Sequence, residues 1–292
     1  MAVNSAQGRL VVFRGNDGKV HALDARCPHL GADLSAGRVS GNSIECAYHH
    51  FRFDGTGRCA GANLAARAFA VTERFGGVFL FVGERPVFEF PVFSDAPQLV
   101  SARPLQWNID TDWFMVGANA FDARHFRAAH DRQLTRQPVL AQPHDLAMHV
   151  SYEYAIEGTS LTDRLVRFAS GRRVLFEVTS WAGNVLLVRA AFERDVSYGL
   201  VIVQPGDGAK RGCMVTVIVN AARAKGMAAF FVDALRLFAK RLAIRNLLLE
   251  DLRSLEGLRY LHEGLRPGDE ILADYLNWVR SAADRCGSIL PI

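Results

Sequence analysis

Cysteine is scarce in this chain: five residues in 292, at Cys27, Cys46, Cys59, Cys213 and Cys286. They are too scattered for a disulfide framework, and an odd number with no secretory leader points to a reducing cytoplasm. The opening MAVNSAQGRLVVFRG has no basic segment followed by an apolar one, so nothing in it suggests a secretory signal. Long apolar runs are absent too, since no stretch reaches the ~18 uncharged residues that a membrane span needs. The most hydrophobic segment, Met227–Leu249, is broken by Asp233, Arg236, Lys240, Arg241 and Arg245. Excess charge of one sign is also missing, with 34 basic against 30 acidic residues and a net charge of +4. Residues 1–70 carry eight basic and five acidic side chains, which suits an acidic protein partner but is too little for a nucleic-acid footprint. There is no internal repeat, no low-complexity tract and no G-x-G-x-x-G fingerprint, so nicotinamide or flavin chemistry would have to come from another chain.

Half of the residues are hydrophobic and 22% are charged, the balance of a globular protein, and the length suits two domains. The first ninety residues read as short strands with turns between them. Arg9–Arg14 is β-rich, Gly15-Asn-Asp-Gly18 turns, Val20–Leu23 resumes, and Val78–Val82 is a compact apolar strand. Pro86 and Pro91 punctuate a boundary, dividing the chain into domains 1–88 and 89–292. A helical stretch is expected from near Gly117 to His130. The pattern from Ala147 to Ala221 is strand-like, with runs at Val174–Val178, Val185–Ala190, Tyr198–Val203 and Met214–Val219 that suggest one antiparallel sheet. After Gly226 the period becomes helical, with Phe230, Ala234, Leu237, Ala243, Leu247 and Leu248 mainly on one side. This predicts a helix to about Leu261, followed by another over Asp269–Cys286 beyond Pro267-Gly268. The fold class is α+β: an all-β N-terminal domain, then an antiparallel sheet covered by helices.

The chemistry concentrates at Cys27-Pro-His29 and, sixteen residues on, Cys46-Ala-Tyr-His49. Two Cys and two His from two loops can close around metal, as structural zinc or as a [2Fe–2S] cluster with two His on one iron. Zinc knuckles pair Cys with Cys and His with His. Here each loop supplies one of each in the same order, which suits two thiolates on one iron and two imidazoles on the other.

CPHLGADLSAGRV from Cys27 and CAYHHFRFDGTGRC from Cys46 resemble the Rieske proteins. Respiratory members of that group carry two further cysteines as a disulfide over the cluster; the corresponding positions are Ala32 and Tyr48. Their hydroxyl donors beyond the second His correspond to Phe51 and Phe53, which cannot donate, so a lower reduction potential is expected. Both points favour the oxygenase or ferredoxin branch. The oxygenase pattern usually has Gly and Trp after the second His, where this chain has His50 and Phe51; His50 is read as a loop residue rather than a fifth ligand.

Farther on stands Asn119-Ala-Phe-Asp122-Ala-Arg-His125-Phe-Arg-Ala-Ala-His130. On a straight helix, residues five apart diverge by about 140°, so His125 and His130 cannot ligate together without a bend or a helix end. From geometry alone they could equally be ordinary core or surface histidines. The pattern N-x-x-D-x-x-H-x₄-H is similar to the catalytic motif of Rieske non-haem iron oxygenases. That resemblance implies Fe(II) on His125, His130 and an acid more than a hundred residues later, often in a Glu-Asp pair. Glu250-Asp251 fits, with Asp251 chosen and Glu250, Asp233 and Glu256 as competitors. It also implies that Asp122 bridges the centres, hydrogen-bonded to His125 and to His49 of the partner subunit in a homotrimer, with Asn119 as a positioning group.

The resemblance implies a terminal oxygenase. NAD(P)H electrons would arrive through a separate reductase, with or without a ferredoxin, at the cluster on Cys27, His29, Cys46 and His49. O₂ and a hydrophobic ring-bearing substrate would react at the iron by hydroxylation, demethylation, desaturation or N-oxygenation. Candidate pocket residues are Phe114, Phe121, Phe126, Phe176 and Trp181. The rival reading is a Rieske electron-transfer module fused to a hydrophobic-ligand domain without oxygenation. Relatives usually begin with a further aromatic-rich segment, so a shortened start is expected here. The remaining histidines (His21, His144, His149, His262) and Cys59, Cys213 and Cys286 are read as structural.

Overall fold

The computed structural model describes all residues except 6–7, 82, 97, 131, 160, 207–211, 284–288 and 292, and only the backbone of 161–162, 283 and 289–291. The chain divides into two compact units, Met1–Phe90 with Gly287–Ile292, and Pro91–Cys286.

The first unit is all β. Strands β1 (Ala2–Ser5), β2 (Gly8–Arg14) and β3 (Val20–Asp24) form an antiparallel ladder around the Gly15–Gly18 turn. A small sheet follows: β4 (Arg38–Ser40), β5 (Ser43–Glu45) and β6 (Arg52–Asp54). Strands β7 (Ala68–Arg74) and β8 (Gly77–Phe81) complete the larger sheet. Its order is β1-β2-β3-β7-β8, and Ile289–Pro291 adds antiparallel to β8. The end of the chain therefore returns to the first unit, which a two-part division at residue 88 does not convey. Alternation along β2 splits the buried residues between two clusters. Val11 and Phe13 join Leu23, Leu34, Ile44 and Phe53 beneath the Cys27 and Cys46 loops, while Leu10 and Val12 pack with Phe69 and Leu80.

The second unit is a nine-stranded antiparallel sheet with helices. Its first elements are β9 (Leu99–Ser101), β10 (Leu105–Ile109), α1 (Phe114–Asn119), α2 (Ala123–His130), β11 (Arg132–Leu134) and β12 (Val139–His144). The long strands are β13 (Ala147–Ile156), β14 (Arg173–Trp181), β15 (Val185–Phe192), β16 (Val196–Pro205) and β17 (Cys213–Ala222), with α3 (Leu161–Ser170) between β13 and β14. Helices α4 (Ala229–Leu255) and α5 (Glu270–Ala283) follow, and Ile289–Pro291 is β18. The sheet runs β10-β17-β16-β15-β14-β13-β11, with β12 also on β13 and β9 on β17.

Several sequence expectations need correction. Residues 147–221 are not wholly strand, because α3 intervenes. The stretch expected from Gly117 is two short helices, and α1 starts earlier, at Phe114. Helix α4 stops at Leu255 instead of Leu261, since Gly257 at φ +76° takes the left-handed turn that ends a helix. Nor do its periodic apolar residues form a core face: Phe230 is 78% exposed, whereas Asp233, Asp251, Leu252 and Leu255 point inward. The last helix is observed as α5; Cys286 and the end of Val78–Val82 lie outside the described residues. Among the described residues no helix is long and apolar enough to cross a membrane.

Candidate metal centres

Two loops of the first unit carry the Cys-His pairs, and they are built alike. The Cys27 N–H donates to Ala32 O at 2.8 Å and the Gly31 N–H to Cys27 O at 2.8 Å. The Cys46 N–H donates to Phe51 O at 2.9 Å and the His50 N–H to Cys46 O at 3.1 Å. The fourth residue after each cysteine is left-handed, Gly31 at φ +81° and His50 at φ +60°. Glycine takes this conformation freely, whereas His50 pays for its Cβ. Its ring lies against Glu45, Nδ1 to Oε1 at 3.3 Å, and Glu45 is itself buried and bound by Arg38 at 2.7 Å and Arg52 at 2.8 Å. His50 is thus a loop residue with a carboxylate partner.

Cys27 and Cys46 are 2% and 1% exposed and interact with each other, while His29 and His49 are exposed with their Nδ1 atoms 3.2 Å apart. Burial is the largest influence on the Cys27 thiol and pushes it up, and Cys46 adds to the rise. Two buried thiols that interact with each other suit a metal that would hold both as thiolates. The paired imidazoles at the surface supply the second half of a Cys₂His₂ donor set. The donors present fit a Rieske-type [2Fe–2S] cluster. Phe51 packs edge-on against His29 at 5.0 Å and Phe53 is fully buried, neither offering a hydroxyl.

In the second unit, α2 and α4 bring together His125, His130 and Asp251. The spacing problem is solved by a helix end: α2 finishes at His130 itself, so the second ring is not bound to the helix's angular period. The rings stand edge to face, 5.1 Å apart, and the Nε2 atoms of both lie 2.8 Å from the same Asp251 oxygen. Asp251 is 8% exposed. Burial pushes its carboxyl up, but the hydrogen bonds and charges of His125 and His130 outweigh this and hold it below the usual range. The His125 imidazole is raised, first by its bond to Asp251, against burial. Two imidazoles converging on a buried carboxylate make a facial donor set that fits Fe(II) with positions left open.

The competing acids are occupied elsewhere or exposed. Asp233 accepts the Ala224 N–H at 2.9 Å, Glu256 accepts the Asp110 N–H at 3.2 Å, and Glu250 faces solvent. Asp122 sits just before α2, and its Oδ1 accepts the N–H groups of Arg124 at 2.9 Å and His125 at 3.2 Å. It therefore caps the helix that carries both histidines, a contact with the His125 backbone and not with its ring. Asn119 ends α1, and its carbonyl accepts the Asp122 N–H at 3.4 Å.

Of the candidate pocket aromatics, Phe126 packs under α2 against Tyr152 at 4.7 Å and Phe176 at 5.3 Å. Phe121 is fully buried against Tyr275 at 4.1 Å, a core position. Phe114 lies edge-on to Tyr260, and Trp181 lies near His144. Sequence reasoning overlooked Tyr152 and Glu45. The alternation along β13 marked Tyr152 as inward-facing, but nothing in the sequence marked Glu45 as the buried hub of two arginines and His50. The remaining histidines have ordinary contacts: His149 with Thr179 at 2.9 Å, His262 with Tyr260 at 3.1 Å, and His144 accepting the Leu146 N–H at 3.0 Å. His21 lies tilted beside Phe13, ring centroids 5.4 Å apart.

Comparison with known proteins bears on both centres. Residues 1–74 match the Rieske [2Fe-2S] domain. The chain is 27% identical to the 4beta-methylsterol monooxygenase of Methylococcus capsulatus, over 59% of this chain and 51% of that protein. It is 36% identical to a probable 3-ketosteroid-9-alpha-monooxygenase oxygenase component of Rhodococcus rhodochrous, over 36% of this chain and 27% of that one. The chain thus spans about half the length, or less, of the relatives it matches. Its fold is that of dicamba monooxygenase, with a TM-score of 0.70 at 18% identity, covering 98% of this chain and 92% of the other. On these matches residues 1–74 are a Rieske [2Fe-2S] domain, and the chain as a whole is similar to oxygenase components that carry such a domain.

Proposed function

We propose that the protein is a terminal oxygenase that oxidises a hydrophobic ring-bearing small molecule with O₂ and electrons from a separate NAD(P)H-dependent reductase, with or without a ferredoxin. The observation that carries this reading is the pair of Nε2 atoms, each 2.8 Å from one oxygen of the buried Asp251. An electron-transfer module with a ligand-binding domain would need no such triad, and this disfavours the rival.

In this proposal residues 1–88, with the closing strand Ile289–Pro291, form the Rieske domain, and the residues between them form the catalytic domain. Cys27, Cys46, His29 and His49 hold the cluster, and His125, His130 and Asp251 hold the iron. When bound, the cluster supplies single electrons and the Fe(II) activates O₂ for insertion into substrate. The protein's own groups place these centres. Asp251 draws both imidazoles to one point, and Asp122 fixes the first turn of α2. The electron route runs through Asp122 from His49 of the partner subunit in a homotrimer, and the enzyme works in the cytoplasm.

Phe126, Phe176, Tyr152 and Tyr154 make an aromatic cluster beside His130, which supports an apolar ring-bearing substrate. Sterols and ketosteroids, the compounds in the names of relatives, are the first to test. The experiment is a screen of ring-bearing compounds with the reconstituted protein and a surrogate reductase, following O₂ uptake and product mass. An oxygenated, demethylated or desaturated product formed in step with O₂ consumption supports the proposal. Cluster reduction without any product, in a chain that holds no iron beyond the cluster, overturns it.

A further inference from the structure

From Gly226 to Ala243, through the first half of α4, every exposed residue is apolar: Met227, Phe230, Phe231, Leu235, Phe238 and Leu242, with alanines, a valine and the glycine between them. Phe231, Leu235, Phe238 and Leu242 follow at steps of four, three and four residues, which aligns them along one side of the helix for about 17 Å. Phe231 is 75%, Leu235 71% and Phe238 67% exposed. The other side of the helix is tied down. Asp233 accepts the Ala224 N–H at 2.9 Å, and Lys240 pairs with Asp195 and donates to Ser197 Oγ at 2.8 Å. The apolar stripe is therefore held outward by the fold.

Its three phenylalanines leave on the order of 400 Å² of apolar area in water. Met227, Leu235 and Leu242 bring the patch to the upper end of what monomers expose, ~600 Å². The charges around it have one sign. From Arg223 to Leu249 there are six basic residues and one acid, and that acid, Asp233, is buried. Exposed cations close both ends of the stripe: Arg223 and Lys225 before it, and Arg245 at the next three-residue step after Leu242. A second copy on this face would set these cations against their own equivalents, since a twofold contact meets its own surface. A protein partner would need polar groups, about one hydrogen bond per 100–200 Å², and the exposed residues from Gly226 to Ala243 offer no polar side chain. Hydrocarbon needs none, and anionic head groups complement the cations.

We propose that this side of α4 docks on an anionic lipid bilayer. It lies in the surface with its Phe and Leu side chains below the head groups, and Arg223, Lys225 and Arg245 among them. The docking stands on the surface itself. Its purpose rests on the reading of the protein as an oxygenase of hydrophobic ring-bearing compounds: such compounds dissolve in bilayers, and the same helix carries Asp251 about 20 Å beyond Phe238.

Sedimentation of the reconstituted full chain with vesicles tests it, using phosphatidylcholine alone and an equal mixture with phosphatidylglycerol. Light scattering reports the oligomeric state alongside. The parent should sediment with the mixed vesicles far more than with the neutral ones, and high salt should weaken this. Phe231→Ser with Phe238→Ser should keep the parent Tm and oligomeric state and bind at least about ten-fold more weakly. Arg245→Glu, which leaves the stripe intact, should weaken binding to the mixed vesicles alone by at least about five-fold. A parent chain that stays in solution with both vesicles overturns the proposal, as do variants that bind as well as the parent. A double variant that breaks into smaller species while vesicle binding is unchanged gives the face to a contact between copies and overturns it too. No substrate or turnover enters the measurement, so failure here leaves the oxygenase reading standing, and a chain that binds vesicles yet oxidises nothing loses only that reading.

Discussion

The residues that support the metal-binding helices can be tested at Gly117. This residue lies inside α1, where alanine would ordinarily gain about 1 kcal/mol over glycine. Here a Cβ would come 2.1 Å from the Tyr275 hydroxyl and 3.1 Å from its Cζ. Tyr275 cannot easily move. It is fully buried, stacked on Phe121 at 4.1 Å, and its hydroxyl shares a 3.2 Å hydrogen bond with Ser180. Displacing it would cost about 1 kcal/mol for that bond and a similar amount of ring packing. Overpacking at such a site costs about 1–3 kcal/mol. Gly117→Ala should therefore lower stability by about 1–3 kcal/mol in net, reversing the sign that helix propensity alone would give. Urea unfolding of the metal-free chain, followed by near-ultraviolet circular dichroism, measures this. Adding Tyr275→Phe, which removes the closest atom, should recover part of the loss. A Gly117→Ala midpoint at or above the parent value would refute the packing argument.

Other expectations follow from the two centres and from the surface of the first unit. Asp251→Asn removes the charged oxygen that both imidazoles share, so iron should fall by about one per chain while sulfide stays at about two; unchanged iron would count against Asp251 as a ligand. Asp122→Asn should leave both sites loaded yet nearly abolish coupled turnover, and full activity would remove it from the electron route. Asp33, Asp54 and Glu73 are held below their ordinary values of 3.8, 3.8 and 4.5, chiefly by bonds to Ser35, Thr56 and Arg14. A depressed carboxyl contributes stability that is complete above its unfolded value and is lost as pH falls through the folded one. Metal-free protein should thus show a Tm that falls below about pH 4; a Tm that does not fall in acid would contradict these pairings.

The sequence marked the proposed ligands more fully than the architecture around them. Cys27, His29, Cys46 and His49 were legible because cluster chemistry demands those residue types at that spacing. The same spacing hid the reason His125 and His130 can converge, since only the position where α2 ends decides it. Asp251 was chosen over Asp233 from its Glu-Asp pairing, and the fold separates the two buried acids of one helix by what they meet: the imidazoles of His125 and His130 for Asp251, the Ala224 N–H for Asp233. Helix α3 went unseen because the β-rich runs on both sides dominate the pattern, and its ten residues are too few to assert a period of their own. The apolar side of α4 was misjudged for a different reason: periodicity gives the angle between residues but not which side meets the sheet, and Asp233 and Asp251 show that the inward side carries charge. The bond from Asp122 to the His125 backbone was likewise invisible, since a cap depends on where the helix begins.

The central claim is that one chain holds both a two-iron cluster and a separate ferrous centre. Iron, zinc and acid-labile sulfide counted per chain in anaerobically reconstituted protein test it most directly. The account predicts about three irons and two sulfides with no zinc. Two irons with two sulfides would contradict the second centre, and zinc at Cys27 and Cys46 would contradict the first.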